Sequence, residues 1–406
     1  MNYNVQKWCK LILVALVLIA LCRPAVSYAW RNTWLSRQDA PSKAAQSFAP
    51  ALDWRPTHTS SGARYAGNDA CAQCHTQTAT QPTTPMGIAL ENIADSRILS
   101  THPRLTFKSG PYTYTITREG NRSIYSVTDG RDTITTPLLY AFGQGKVGQT
   151  YVLEYEGKFY ESGVSFFNEI KGLDYTLGSP RQPAKTLKEA VGRLMDAADT
   201  KECFSCHSTA SVSDNKLQLD KLTPGVTCEG CHGPGANHIA AMKARRQPGA
   251  KTNTGAPSLN NTQILNPGRF DTDGQSQFCG ACHRTWTHVS LMRLTGVANV
   301  RFQPYRIFGS KCYDFDDKRI SCTACHNPHE ELKHDAAFYD AKCLACHQAD
   351  QKVKQTGAAA NKFPACPVGK QNCASCHMPK YELPGSHYKF TDHRIRVTRP
   401  GEPYPN

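Results

Sequence analysis

The chain has 406 residues, 39% of them apolar and 20% charged, a balance that excludes both a disordered chain and one buried wholly in lipid. Its formal charge is +14; Lys7, Lys10 and Arg23 contribute three of those charges, so residues 30–406 carry +11. Eighteen cysteines are far more than an ordinary side-chain core requires.

In chain order, residues 1–29 read as a signal peptide. Lys7 and Lys10 precede an apolar run from Leu11 to Cys22, and Ser27-Tyr28-Ala29 resembles a small-residue cleavage site. The run is short for a membrane span, and Leu21 is too large for a lipoprotein signal at Cys22. Export to the periplasm or beyond is the expectation, into an oxidising compartment. Residues 30–66 form an irregular leader rich in Ala, Ser, Thr, Pro and Arg. Residues 67–102 hold the first of a set of Cys-x-x-Cys-His segments. In 103–180, YTYTIT near Tyr112 and SIYSVT near Ser123 alternate around a Gly-Asn turn and predict a hairpin. Strand-like runs follow at Leu138 to Phe142, Thr150 to Tyr155 and Lys158 to Val164, with a turn at Glu156-Gly157-Lys158. These runs predict a small antiparallel β-rich insert. From 181 to 406 the chain is read as one six-motif domain with a C-terminal tail. Its best helical pattern is Thr186 to Asp199, leading into the second motif.

The seven motifs are CAQCH from Cys71 to Cys74 and His75, CFSCH from Cys203 to Cys206 and His207, CEGCH from Cys228 to Cys231 and His232, and CGACH from Cys279 to Cys282 and His283. CTACH from Cys322 to Cys325 and His326, CLACH from Cys343 to Cys346 and His347, and CASCH from Cys373 to Cys376 and His377 complete the set. Two thiols three positions apart suit thioethers to the two vinyl groups on one haem edge, and the adjacent imidazole then meets the iron. Zinc ribbons and thioredoxin-like pairs also use CxxC, but neither requires a following His. Only 15 residues of 406 are His, yet His follows all seven pairs, so seven covalent haem c groups are predicted. Their propionates, roughly 14 negative charges, offset the basic side chains and remove the argument for nucleic-acid binding.

Eight further histidines exceed what a metal-free protein needs, and a low-spin haem needs a second strong ligand. His329 in CHNPH, His238 in CHGPGANH, and His387 and His393 in GSHYKFTDHRI are candidates, with His288, His102 and His58 after them; a solvent or propionate contact is the competing role, and most of all for His334. Met86, eleven residues after His75, is either a ligand or packing. Cys312 and Cys366 are the cysteines left over beyond the signal, and a disulfide between them is expected. Between the second and last motifs the His-to-His gaps are 25, 51, 43, 21 and 30 residues, too short for side-chain cores. The fold expected is a multihaem cytochrome c, mainly short helices and loops wrapped around a haem core.

YAGNDACAQCH, VTCEGCHGPGANH, ISCTACHNPHE, NCASCHMPK and FTDHRI resemble the multihaem cytochrome c superfamily with doubled CXXCH units, which includes relatives of hydroxylamine oxidoreductase and pentahaem nitrite reductase. The resemblance runs from about Tyr65 to the C-terminus. It implies bis-histidine haems in close pairs, with His238, His329 and His393 as distal ligands. This chain departs from it in Met86, which stands where many relatives have His, and in the β-rich insert; it has no CxxCK motif, so nitrite reduction is not supported. The function expected is electron transfer between redox partners, either other redox proteins or an extracellular acceptor. The alternative is an oxidoreductase with one open haem, the first being the candidate, acting on a small nitrogen or sulfur oxyanion. Peripheral membrane association, a homo-oligomer or a filament built through the C-terminal histidines are compatible with either.

Overall fold

The computed structural model describes residues 54–60, 62–246, 264–347, 366–399 and 401–405. The expected signal peptide lies outside the described residues, as does most of the expected loop from Gln247 to Asn266. Ten antiparallel strands form one sheet: β1 (Leu90–Asn92), β2 (Arg104–Ser109), β3 (Tyr112–Glu119), β4 (Arg122–Thr128), β5 (Thr133–Phe142), β6 (Gly148–Tyr155), β7 (Lys158–Ser162), β8 (Val164–Phe167), β9 (Gly172–Tyr175) and β10 (Gly192–Leu194). The order is β9-β8-β6-β5-β4-β3-β2, with β1 on β5, and β7 pairing both β6 and β10.

Alternation builds this sheet, because successive side chains on a strand point to opposite faces. Tyr112, Tyr114 and Ile116 of β3 and Tyr125 and Val127 of β4 all point inward. They join Leu138, Tyr151, Leu153, Val164 and Phe166 in one apolar cluster. The predicted hairpin is β3–β4, in register from Thr113↔Thr128 to Glu119↔Arg122. Gly120 at φ +61° supplies the positive φ that a two-residue turn requires. Glu156 and Gly157, at φ +51° and +70°, make the second predicted turn.

Two expectations are corrected here. The β region is no small insert but a ten-stranded sheet running from Leu90 to Leu194; short segments such as Leu90–Asn92 and Gly192–Leu194 carry no periodicity, and their neighbours recruit them. The helix expected over Thr186 to Asp199 is broken in two. Thr186 caps α2 (Leu187–Val191), Asp196 caps α3 (Ala197–His207), and β10 lies between them. The break is at Gly192, with φ +146°, where the chain turns to pair with the free edge of β7. A Cβ on Gly192 would sit 2.0 Å from the Glu161 carbonyl oxygen. Gly192→Ala is therefore expected to cost at least about 2 kcal/mol, read as a lower urea midpoint.

The other helices are short, among them α1 (Asn68–Ala72) ahead of the sheet and, beyond β10 and α3, α4 (Cys228–His232), α5 (Ala236–Arg245), α6 (Thr272–His283), α7 (Trp286–Leu291), α8 (Cys322–Cys325), α9 (Ala336–His347) and α10 (Cys373–His377). Among the described residues after Val212, the buried apolar side chains are Phe278, Ala281, Val289, Val300, Phe302 and Leu383. So few cannot fill a core for some 190 residues. This is the region where large apolar cofactor faces were expected to take their place. Among the described residues, no helix is long and apolar enough to cross a membrane.

Candidate haem-binding centres

Six of the seven motifs sit in or at the end of a short helix: α3, α4, α6, α8, α9 and α10. A helical turn brings residues three apart onto one face, so the two cysteines of each such motif project together. The first motif begins in a helical turn at Asn68–Ala72, and His75 lies just past it in an extended conformation. Burial pushes the Cys71 and Cys231 thiols up to about 11 and Cys203 up to about 12. At these three positions burial favours an uncharged sulfur, whereas the hydrogen bond with Cys282 pushes Cys206 down to about 6.

Several motif imidazoles are held by the ring nitrogen that would not meet a metal. His207 Nδ1 donates to the Ala89 carbonyl at 3.0 Å, His232 Nδ1 to Leu265 at 2.7 Å, and His377 Nδ1 to Arg396 at 2.9 Å. A carbonyl only accepts, so Nδ1 carries the proton and Nε2 presents its lone pair, the usual arrangement of a ligating imidazole.

Three motif histidines each face a second imidazole. Ring centroids are 6.4 Å apart for His75 and His238, 6.0 Å for His232 and His329, whose planes differ by 4°, and 6.2 Å for His326 and His393. Two imidazoles on opposite sides of one metal, each with its nitrogen about 2 Å away, have centres about 6 Å apart. Burial, together with the nearby His326, pushes His393 down to about 4, so it is neutral and able to ligate. These residues fit a covalently bound haem: paired thiols on one helical face, an oriented proximal imidazole, and at three sites a second imidazole opposite.

The remaining candidates are placed differently. His387 Nε2 is 2.7 Å from Asp174 Oδ2, and its ring packs on Phe167. His102 Nδ1 donates to the Ile98 carbonyl, with its ring against Phe166. Both therefore lie against the sheet. His288 caps α7 through Thr285, just after the fourth motif, and His334 Nε2 is 3.1 Å from Lys146 Nζ. His58 lies in a short strand parallel to Val212–Ser213, beyond the second motif. The half-buried Met86 accepts the Val226 N–H on its carbonyl, so its segment runs beside the third motif. The expected Cys312–Cys366 disulfide is not formed and both are thiols. Cys312 sits near Cys325, Cys343 and Cys346, whereas Cys366 accepts the backbone N–H groups of Val368 and Gly369.

A set of polar side chains that sequence reasoning missed fastens one motif to another. The Glu229 carboxylate, inside CEGCH, accepts N–H bonds from Ala66, Gly67 and Gly235 at 2.7, 2.8 and 2.7 Å. Gln275 Oε1 accepts from the Thr323 amide and hydroxyl. Asp340 accepts from the Asn372 and Cys373 amides at 2.7 and 2.8 Å. Glu202 takes Arg284 at 2.7 Å and the buried Arg55 at 2.5 Å. In the tail, Arg306 grips Asp392 through two bonds of 2.8 and 2.9 Å, with both side chains almost fully buried. The one available signal was position: Glu229 lies within its motif, and Glu202, Gln275 and Asp340 lie one to four residues ahead of theirs.

Two stretches of the chain that carry these motifs match family models. Residues 175–233, spanning the second and third motifs, match the family model of cytochrome c554 and c-prime. Residues 314–384, spanning the fifth to seventh, match that of cytochrome c3. Among solved structures, the chain is similar to the outer cell wall cytochrome OcwA, at 15% identity and TM-score 0.45 over 83% of this chain and 80% of that one. It is also similar to the undecaheme cytochrome from the S-layer of Carboxydothermus ferrireducens, at 16% identity and TM-score 0.40 over 87% of this chain and 54% of the other. No curated protein matches the chain.

Proposed function

Because the chain belongs to the multihaem cytochrome c superfamily, we propose that it is an exported electron carrier with seven covalent haems, passing electrons between redox proteins or to an extracellular acceptor. The observation that carries this reading is the set of three imidazole pairs, each a motif histidine facing a second ring at one-metal spacing. Each haem, when bound, supplies a one-electron couple whose potential follows its axial ligands, burial and hydrogen bonds. The chain's own part is to hold and orient. Cysteine pairs tether, Nδ1 hydrogen bonds to Ala89, Leu265 and Arg396 aim the proximal rings, and His238, His329 and His393 close the opposite faces. At these three sites a closed face leaves nowhere for a substrate to bind iron, which suits a carrier rather than a catalyst. Cleavage after Ala29 and secretion belong to the same reading.

The test is the mass and spectrum of the secreted protein. Seven porphyrins, predominantly low-spin ferric iron in the oxidised protein, and little response of the reduced protein to carbon monoxide are expected; a polypeptide short of several porphyrin masses, or carrying zinc, overturns the reading. His329→Ala is expected to turn one haem of the seven high-spin and open it to carbon monoxide, as His232 loses the ring opposite.

A further inference from the structure

The same contacts that hold the sites also order them. Resting on the seven-haem reading, we propose that the fifth motif is the junction of a three-armed electron path: through the third site to the first, through the fourth to the second, and through the seventh to the sixth.

Three links meet at the fifth site. His329 faces His232 of the third site and lies three residues after His326, so the two backbone anchors are at most about 10 Å apart. Gln275, from the helix that ends in the fourth motif, holds the Thr323 amide inside the fifth. His393 faces His326, while Arg396, three residues on, accepts His377 Nδ1 of the seventh. Each neighbour then has one outward link. From the third site, Glu229 binds the segment just ahead of the first motif, and His238 faces His75. From the fourth, Arg284 pairs with Glu202 next to Cys203 of the second. From the seventh, Asn372 and Cys373 donate to Asp340 in the helix of the sixth.

Two further approaches, Cys343 near Cys325 and Cys231 near Cys279, fold the sixth site back beside the junction as well as the seventh and bring the third beside the fourth, so the arms to the first and second are the two that end away from the junction. An odd number of sites follows naturally, as one centre and three arms of two. Each hop oxidises one iron(II), reduces its iron(III) neighbour, and makes or breaks no bond.

Reducing one iron removes a positive charge, and its effect on the reduction of another haem falls with distance, so the haems that respond most to an earlier reduction at one site are its neighbours. His393→Met replaces an imidazole by a thioether and raises the potential of that haem. In a potentiometric titration followed by paramagnetic NMR, with mass confirming seven haems, this variant is expected to shift at least three other haems. His238→Met, at the end of an arm, is expected to shift one. Equal numbers for the two variants, or a single responder to His393→Met, overturns the branching while leaving the seven-haem reading intact; fewer than seven haems in the wild-type protein overturns both. Gln275→Leu touches no ligand and serves where His393→Met does not accumulate: it is expected to weaken the interaction of one haem pair only, and unchanged or general effects refute the junction.

Discussion

Asp392→Ala is expected to destabilise the protein by about 3–5 kcal/mol and to turn one haem high-spin, because it leaves the buried Arg306 guanidinium without its partner. Asp392 is fully buried and takes three groups in all: Arg306 in two bonds, Arg396 Nη1 at 3.0 Å, and the Arg394 amide at 3.0 Å. Those bonds fasten the chain on both sides of His393. Releasing them frees the ring facing His326, so stability and ligation should fall together. A lower urea midpoint and a new high-spin signal would be the joint readout, and an unfolding free energy within about 1 kcal/mol of wild type would show that the pair does not hold the tail. Arg306→Ala should be milder, since Arg396 and the Arg394 amide still serve the carboxylate. Tyr404, over which the guanidinium lies at 4.6 Å, loses its stacking contact in that variant.

Glu229→Ala is expected to cost about 3 kcal/mol, on the basis of about 1 kcal/mol for each of the three amides left without an acceptor. It should act on both sides of the first site at once. Ala66 and Gly67 lead directly into the first motif, and Gly235 precedes the helix that presents His238 to His75. Loss of low-spin character at the first site, with the other sites retained, is the expected spectrum. Glu229→Gln keeps one acceptor oxygen and should recover part of the loss; a variant whose first-site signal is untouched would show that Glu229 merely packs.

Much of this protein was legible before any coordinates. The seven motifs are contiguous, and a thioether pair with an adjacent imidazole is a local chemical requirement, so CTACH reads the same in any context. The β3–β4 hairpin was legible for a similar reason: period-two alternation and a Gly-Asn turn are both short-range. The helix expected through Gly192 failed because its pattern describes local preference, whereas the open edge of β7, thirty residues earlier in the chain, decided the outcome. The Cys312–Cys366 pairing rested on counting leftover thiols, and counting says nothing about the distance between them.

What the sequence by itself determined is the chemistry: which sulfurs and imidazoles exist in ligating arrangements, and that short gaps leave no room for a side-chain core. What only the tertiary structure decided is partnership. That His238 faces His75, that His329 faces His232, and that His393 faces His326 depends on segments separated by 163, 97 and 67 positions. The physical reason is that a proximal ligand is held by the covalent chain a few bonds away. A distal ligand is held by tertiary contacts such as Arg306–Asp392 and Glu229, whose free energy exists only once the whole chain has closed around them.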